Sequence, residues 1–280
     1  MMEMLNQFFA SPVMQESLPP ALLISVVTAS MSVMVLAHRL SFLTVGVSHA
    51  SLAGLGLAVT LSLPLLPTAT VTALLITLLL ANIPKKQGIT DDAGIGMLFA
   101  GSMALGVVLI STASRYEVDL FGLLFGNILT ISSSEMQWLL LVGALILGSM
   151  VLLARGWWSI AFDPTTAAAA GLPVPTMRML LYGVIGLTVV MCVKLAGIVL
   201  TTGLLVLPAA CAWFWGRSLA GLWSLSVIFS LTGTLIGLMV SYHRDWPSGA
   251  TVVMALCCIF IISWGGAWLR QRVQKHKEQE

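Results

Sequence analysis

The sequence predicts an all-α fold, a polytopic bundle of eight or nine transmembrane helices. Hydrophobic residues make up 58% of the 280 residues and charged residues only 9%, against about 25% charged residues in an average soluble domain. A membrane-spanning helix needs about 20 apolar residues, and apolar runs that approach this length recur along the whole chain. No basic segment precedes the first run, so we expect no cleaved signal peptide and a first span that inserts by itself.

Short hydrophilic segments separate the apolar runs and define the predicted elements. The candidate spans are roughly 18–36, 43–63, 66–83, 92–112, 135–154, 177–194, 197–215, 219–240 and 248–269. The two runs on either side of Lys194 form either one span or two, which leaves the number at eight or nine. No linker divides the chain, so we predict one domain over residues 1–280, with spans at about 18–269 and a basic tail at 270–280.

The distribution of charge predicts which span ends lie in the cytoplasm. If the spans alternate in direction, ten of the thirteen basic residues fall on one side: Arg39, Lys85, Lys86, Arg155, Arg178, Arg217, Arg270, Arg272, Lys275 and Lys277. The positive-inside rule places that side, with the C-terminus, in the cytoplasm. Six of the eleven acidic residues fall on the other side, against three basic ones: Glu3, Glu16, Glu117, Asp119, Glu135 and Asp245. A negative outer surface favours the approach of cations.

His49 carries an ionisable side chain into an apolar run. Such a group costs roughly 2.5–3.5 kcal/mol or more in a bilayer unless it meets partners or water. Small residues fall at helical spacing on the face that we expect His49 to share: Gly46, Ala50, Ala53 and Gly54. Small residues let membrane helices approach closely. We therefore expect His49, with its neighbour Ser48, to face other helices or a cavity rather than lipid.

Residues 163–171 contain the sequence signals of one complete short helix. Asp163 suits the N-cap, Pro164 the first helical position and Gly171 the C-terminal cap. About seven helical residues extend only about 10 Å, which is too short to cross a membrane. The segment is either a tight connection between two spans or a surface, including Ala167, that is offered to a cytoplasmic protein partner.

A proline interrupts the apolar run that follows Lys194. Pro208 removes a helical hydrogen bond and predicts a kink. Neighbouring helices, or the hydroxyls of Thr201 and Thr202, can satisfy the freed carbonyl. The kink is either a hinge or a fixed packing feature.

Two more segments carry groups that bind cations. His243 and Asp245, just before the last span, can offer nitrogen and oxygen ligands to a divalent cation. The alternative is an ordinary solvated loop in which Arg244 pairs with Asp245. Asp119 begins an apolar segment that is too short to cross, and we expect this segment to lie at the interface or to re-enter the bundle.

Motifs for several other functions are missing from the sequence. No GxxxxGK[ST] phosphate loop occurs, so we do not expect the chain to hydrolyse nucleotide. An intramembrane enzyme would need convergent groups such as HExxH or paired acids, and neither pattern occurs. A transporter driven by an ion gradient is the alternative, although the mid-span acids that it uses for coupling are missing.

Six segments, in this order, resemble the permease subunits of bacterial zinc/manganese/iron ABC importers, the ZnuB-like family. They are Arg39 to Gly54, Asp92 to Phe99, Asp119 to Leu129, Asp163 to Gly171, Lys194 to Ala212 and Trp246 to Ala250. The resemblance covers about residues 18–268, nearly the whole chain.

The resemblance implies a permease for a divalent transition metal in a bacterial inner membrane, with zinc favoured over manganese and iron. It implies a separate cytoplasmic ATPase subunit that binds ATP, an external solute-binding protein and a second permease copy, in a homodimer or as a paired permease. We expect membrane lipid around the bundle, no tightly bound cofactor and no nucleic-acid partner. The implied transport pathway contains His49 as a metal ligand, with Ser48, Asp119, His243 and Asp245. The implied contact with the ATPase contains Asp163, Pro164, Ala167 and Gly171.

The sequence departs from the family at two positions. The family usually has an aspartate four residues before the histidine, and Val45 stands there in this chain. Asn127 stands where the family often has an acid. With fewer carboxylates, we expect His49 to be a weak, transient ligand that is backed by water or backbone oxygens.

Overall fold

The protein is helical throughout the residues that its structure, a computed structural model, describes: 8–82, 91–112, 126 and 132–277. In chain order the helices are α1 (Pro12–Ala37), α2 (Ser41–Thr60), α3 (Leu65–Ala81), α4 (Asp91–Thr112), α5 (Ser133–Phe162), α6 (Pro164–Ala169), α7 (Val174–Trp213), α8 (Leu219–Arg244) and α9 (Ser248–Lys277). No strand occurs within these residues. The prediction of an all-α fold is confirmed.

Eight of the described helical segments are long and apolar enough to cross a membrane. Two of them, Val174–Val193 and Ala196–Trp213, are the halves of α7. Helix α3 is also apolar, and its 17 residues lie at the lower limit for a spanning helix. The predicted polytopic transmembrane bundle is confirmed.

Helices α2 and α4 run parallel, which sets the direction of α3. Near their beginnings, Gly46 of α2 packs against Ile95 of α4. Near their ends, the Thr60 hydroxyl donates a hydrogen bond to the Leu109 carbonyl at 3.2 Å. Because both helices begin on the same side, the chain must return across the membrane between them, and α3 supplies that crossing.

Helix α7 folds back on itself at Gly197. A straight helix of its 40 residues would be about 60 Å long. Yet both of its ends lie beside adjacent tryptophans of α5. The Trp157 indole N–H donates to the Met177 carbonyl at 2.9 Å, and the ring centroids of Trp158 and Trp213 are 6.4 Å apart. Within α7, Gly197 has the non-helical backbone angles (φ 73°, ψ 174°). The two spans predicted in this region are therefore antiparallel.

The helix ends fall on two sides of the bundle, and we call the side that carries α6 the α6 side. The ends of α1 and α5 meet there, because His38 Nε2 lies 2.9 Å from the Trp157 carbonyl oxygen. The end of α7 meets α9 on the same side, where the Trp215 indole donates to Ser263 Oγ at 2.6 Å. The described helices thus cross nine times, with α1 beginning on the opposite side and α9 ending on the α6 side.

Three helices extend beyond their predicted spans. Helix α1 begins at Pro12 rather than near 18, α5 continues to Phe162 rather than to 154, and α9 continues to Lys277. Most of the predicted tail at 270–280 is therefore helical. The prediction ended each span at its first polar or basic residues, but glutamine, glutamate, arginine and lysine are good helix formers. The helices consequently continue beyond the apolar layer.

Helix α1 lies at the centre of the bundle, where it packs against α5, α7 and α8. Its buried hydroxyls bind α8: the Ser25 and Thr234 hydroxyl oxygens are 2.6 Å apart, and the Trp223 indole donates to Ser30 Oγ at 2.9 Å. Helix α4, by contrast, packs mainly against α2 and leaves most of its surface exposed. Helix α2 therefore lies between the core and an outer helix.

Candidate ion pathway and coupling helix

His49 lies in α2 with one imidazole nitrogen held by the backbone. Its Nδ1 is 3.0 Å from the Val45 carbonyl oxygen. Because a carbonyl can only accept a hydrogen bond, Nδ1 carries the proton, and the tautomer with this proton has its lone pair on Nε2. The ring packs edge-on against Phe99 of α4, with centroids 5.0 Å apart, and the side chain is half-buried. A histidine that binds an ion through Nε2 needs this tautomer.

Ser48 is buried directly beside His49. Its hydroxyl donates to the Val45 carbonyl at 3.0 Å and lies 3.4 Å from His49 Nδ1. One carbonyl oxygen therefore accepts from both side chains, and Ser48 helps to position the imidazole. Its membership of the transport pathway stays a prediction.

The small residues near His49 contact two helices rather than sharing one face. A Cβ on Gly46 would lie 2.5 Å from the Ile95 side chain of α4, whereas a Cβ on Gly54 would lie 3.0 Å from the Ala69 Cα of α3. Positions eight residues apart are about 80° apart around a helix. The one-face interpretation is therefore corrected: small residues let α2 approach both α3 and α4, and His49 lies at the α4 contact.

Within the described residues His49 belongs to no metal-binding cluster. Val45, one turn before it, is half-buried and offers only its backbone oxygen. No group of three or more His, Cys, Asp and Glu side chains among the described residues could hold a metal ion. Asp119 and Asn127 lie outside the described residues. Around His49, the described part of one chain thus supplies one imidazole, the Ser48 hydroxyl and nearby backbone oxygens.

His243 and Asp245 lie at the end of α8, on the side opposite α6. His243 Nδ1 is 2.9 Å from the Met239 carbonyl oxygen, and its buried Nε2 has no hydrogen-bond partner within the described residues. Asp245 is exposed and ends the helix in a left-handed conformation (φ 52°). Helix α8 packs mainly on α1, α7 and α9, whereas His49 packs against α4. A place on the pathway for His243 and Asp245 stays a prediction.

The predicted short helix is present as α6. Asp163 Oδ1 accepts from the Thr165 backbone N–H at 2.9 Å. Hydrogen bonds from the Thr165 hydroxyl, and next from the Thr166 hydroxyl, lower the pKa of Asp163 to about 2. Pro164 is the first helical residue, and Gly171 leaves the helix in a left-handed conformation (φ 87°). Asp163, Pro164 and Gly171 therefore occupy the positions at the two ends of the helix that the sequence indicated.

Helix α6 presents a small, exposed face. Thr165, Thr166, Ala168 and Ala169 are exposed, whereas Ala167 is only 4% exposed. Sequence analysis grouped Ala167 with the partner-facing residues. Because it is buried, Ala167 packs the helix against the bundle, and the exposed side chains form the outer face. A role for Ala167 in coupling to the ATPase stays a prediction.

Trp157 joins the ends of α1, α5 and α7 behind α6. Its buried indole donates to the Met177 carbonyl, and its own carbonyl accepts from His38 Nε2. Arg178 donates to the Tyr182 hydroxyl at 2.9 Å, and these groups line a recess of about 250 Å³ beside the start of α6. Burial lowers the pKa of His38, and the nearby Arg178 charge adds to this effect against the hydrogen bond to Trp157.

The second half of α7 has two irregular positions, the chain reversal at Gly197 and the proline at position 208. Thr201 donates to the Gly197 carbonyl at 2.6 Å, so its hydroxyl serves the chain reversal rather than the proline. After Pro208, the Ala209 N–H donates to Ser32 Oγ of α1 at 3.1 Å. This contact ties the segment to α1, which favours a fixed packing feature over a hinge. The predicted kink at Pro208 stays a prediction.

The family profile described as "ABC 3 transport family" matches residues 10–266, a range that includes α2, α6 and α8. The chain belongs to the ABC 3 transport family. Relatives of this ABC 3 chain are similar over nearly its whole length. The manganese import system permease protein ScaB of Streptococcus parasanguinis is 32% identical over 266 residues, which cover 94% of this chain and 93% of the relative. The manganese transport system membrane protein MntC of Halalkalibacterium halodurans is 27% identical over 259 residues, which cover 92% and 89%.

A solved structure shares the fold of this ABC 3 chain. PsaBC from Streptococcus pneumoniae in complex with Fab matches with a TM-score of 0.84 and 28% identity, over 94% of this chain and 95% of the matched chain. The helices of this chain are therefore arranged as in the matched chain of PsaBC over 94% of the sequence.

The sequence predicted α6 in this ABC 3 chain but not the contacts behind it that hold the neighbouring helix ends together. Trp157 and His38 hold the helix ends together, although they are 119 residues apart in the chain. The available signal was the pair Trp157-Trp158 shortly before the Asp163 cap. Tryptophans near the end of a membrane helix are also typical of the interfacial belt, so the pair alone does not indicate a buried link.

Proposed function

We propose that this chain is the transmembrane permease subunit of an ABC importer for a divalent transition metal ion, with manganese favoured. The observation that carries the proposal is the family match over residues 10–266. Relatives named as manganese transport or import proteins, similar over more than nine-tenths of the chain, support the choice of ion. In this proposal the chain catalyses no reaction, and a separate subunit binds and hydrolyses ATP.

Manganese replaces the zinc that sequence analysis favoured. The zinc preference finds no support in the names of these relatives, which are manganese systems. Chemically, Mn²⁺ lies at the weak end of the divalent series for nitrogen and oxygen ligands, and Zn²⁺ binds more tightly. A single imidazole with Val45 in place of the family acid would hold Mn²⁺ weakly, and weak binding permits release on the far side.

In the proposed cycle His49 offers its Nε2 lone pair to the passing ion, and α6 transmits movement from the ATPase. The exposed face of α6 would contact that subunit. Because Ala167 seats α6 and Trp157 joins the ends of α1, α5 and α7, a shift of α6 would reach the helices around α2. Helix α7 packs directly on α2. The bundle would then alternate between outward and inward access.

A second copy of the chain and an external solute-binding protein complete the proposed assembly. The α6 side would face the cytoplasm of a bacterial inner membrane. Six described arginines lie on that side: Arg39, Arg155, Arg178, Arg217, Arg270 and Arg272. Arg244 is the one described arginine at the opposite end. This asymmetry supports a cytoplasmic C-terminus through the positive-inside rule.

Cysteine labelling in intact cells tests the orientation. The four native cysteines are first replaced, and Ser62→Cys on the opposite side is compared with Gln274→Cys on the α6 side. Both positions are exposed. We expect a membrane-impermeant maleimide to label the first variant only, and the second after the cells are opened. Labelling of Gln274→Cys in intact cells would reverse the orientation.

Transport by the reconstituted complex tests the function. The chain and its ATPase subunit are placed in vesicles with the solute-binding protein, and uptake of radioactive Mn²⁺ is followed with ATP or ADP, with and without Zn²⁺ as competitor. We expect uptake that requires ATP and prefers Mn²⁺. Uptake that needs no ATP and follows an ion gradient would support the secondary transporter instead. A preference for Zn²⁺ would overturn the choice of ion alone.

A further inference from the structure

A groove runs along the surface of α1 between α5 and α8. Helix α1 packs against both of these helices, which lie apart from each other. The gap has a volume of about 490 Å³, with Val26 and Val33 of α1 as its floor. Leu147 and Met150 of α5 form one wall, and Trp223 of α8 lies on the other. The groove is thus an apolar channel that opens sideways from a membrane-spanning bundle.

The groove ends at the level where lipid headgroups lie. From Leu147 to Arg155, both of which line it, α5 rises about 12 Å. Arg155 is one turn from Trp158, and Trp213 lies against Trp158. Tryptophans gather at the membrane–water interface. The apolar part of the groove therefore lies in the hydrocarbon layer, and Arg155 lies at its boundary.

The charge at this boundary is positive. Arg155 is exposed, and its guanidinium makes no hydrogen bond or ion pair within the described part of the chain. No acidic residue lines the groove. Helix α8 begins beside it, with Leu219 and Ala220 among the lining residues, so the positive end of the α8 dipole adds to the same field. A ligand with an anionic head and an apolar tail complements these features.

We infer that the groove binds an anionic phospholipid, with an acyl chain over α1 and the phosphate on Arg155. Bilayer lipid surrounds this surface, since Leu152 on the adjacent face of α5 is 80% exposed. What distinguishes the groove from that face is its concave shape together with a cation at headgroup depth. The inference depends on the membrane-spanning fold and not on the transported ion. A lipid there would also brace the end of α5, which leads into α6.

Lipid retention by the purified full-length chain tests this inference. Delipidated protein in detergent receives equal amounts of dioleoyl phosphatidylglycerol and dioleoyl phosphatidylcholine, and native mass spectrometry counts the bound lipids. We expect the wild type to retain phosphatidylglycerol preferentially. Arg155→Gln should reduce that preference about fivefold, which corresponds to about 1 kcal/mol for one cation near anionic lipid. Ala220→Phe, which fills the groove, should reduce the binding of both lipids.

Arg272→Gln is the matched control, because Arg272 lies on the same side over the Trp268 ring at 3.9 Å, outside the groove. We expect it to keep the wild-type preference. An equal loss in Arg272→Gln, or no preference in the wild type, would overturn the inference. A wild-type preference that survives in Arg155→Gln, with melting temperatures unchanged, would also overturn it. Efficient disulfide cross-linking of Val151→Cys between two copies in native membranes would show a protein occupant instead.

Discussion

Helix α6 and the His49 segment of α2 differ in where their geometry comes from. The end groups of α6 find partners within a few residues: Asp163 accepts from Thr165, and the Gly171 N–H donates to the Ala168 carbonyl at 3.0 Å. His49 is held locally only through Nδ1, and its ring position depends on Phe99 of α4. Local signals therefore specify α6, whereas packing between separate helices specifies the surroundings of His49.

This difference predicts two kinds of sensitivity. A change at a cap of α6 should alter the shape of α6 and its coupling to a partner while the ion pathway stays intact. A change at His49 should alter ion passage while the fold stays intact, since the ring is only half-buried. Variants of each kind, measured for both uptake and stability, separate the two regions.

The largest effect is expected at His49. His49→Ala removes the one imidazole that we place on the pathway in α2, so Mn²⁺ uptake should fall at least about tenfold, the factor for about 1.4 kcal/mol. His49→Gln should keep part of the activity through its polar group. The measurement is ATP-driven uptake in vesicles, with melting temperature as a check on folding.

Ser51→Ala provides the control for His49. Ser51 is buried in the same helix, and within the described residues its hydroxyl donates only to the Val47 carbonyl of its own helix, at 2.9 Å. Uptake by this variant should stay near that of the wild type. Wild-type uptake by His49→Ala would show that the histidine is only a packing residue. The comparison of α6 with an ion pathway at His49 would then no longer hold.

The next effect is expected at Gly171. Its φ of 87° lies in the left-handed region, and a Cβ there would meet no atom within 4 Å. Within this chain a β-branched side chain would therefore act through backbone strain, at about 1–2 kcal/mol. Gly171→Val should lower both uptake and stimulation of the ATPase severalfold without loss of membrane insertion. Gly171→Asn, which tolerates this conformation, should keep most of the activity, and equal losses in both variants would exclude strain as the cause.

A smaller effect is expected at Trp157. Trp157→Phe keeps an aromatic ring in the buried site but removes the donor to the Met177 carbonyl. The free energy of unfolding should fall by about 1 kcal/mol, the typical net value of one such bond. Thermal unfolding in detergent measures it. Trp158→Phe is the control, because its indole has no hydrogen-bond partner within the described residues; equal shifts would mean that ring size, not the bond, matters.

The same contrast explains what could be predicted from the sequence. The length of an apolar run and the residues that cap a helix are local features of the sequence. The spans, and α6 with Asp163 and Gly171 at its ends, were therefore predictable. The contacts behind α6 were not predictable, because His38 and Trp157 are 119 residues apart in the chain. The split of Gly46 and Gly54 between α4 and α3 likewise follows from helix packing, which no local pattern encodes.

The smallest effect concerns the pH dependence of the α6 cap. Hydrogen bonds from Thr165 and Thr166 lower the pKa of Asp163 to about 2, below its ordinary value of about 3.9. A carboxyl whose pKa is lower in the folded state stabilises that state while ionised. Its contribution is therefore complete above about pH 4 and is lost as the pH falls through about 2.

The protection of the α6 amides from hydrogen exchange should accordingly stay constant between about pH 5 and 8, and it should decrease only in stronger acid. Asn is as good an N-cap as Asp, so Asp163→Asn should match the wild type near neutral pH, in exchange and in coupling, and should lack the acid-induced loss. Coupling that fails in Asp163→Asn while α6 stays protected would show that the charge contacts the partner. Asp163 would then belong to an intermolecular surface, and α6 would depend on distant contacts as His49 does.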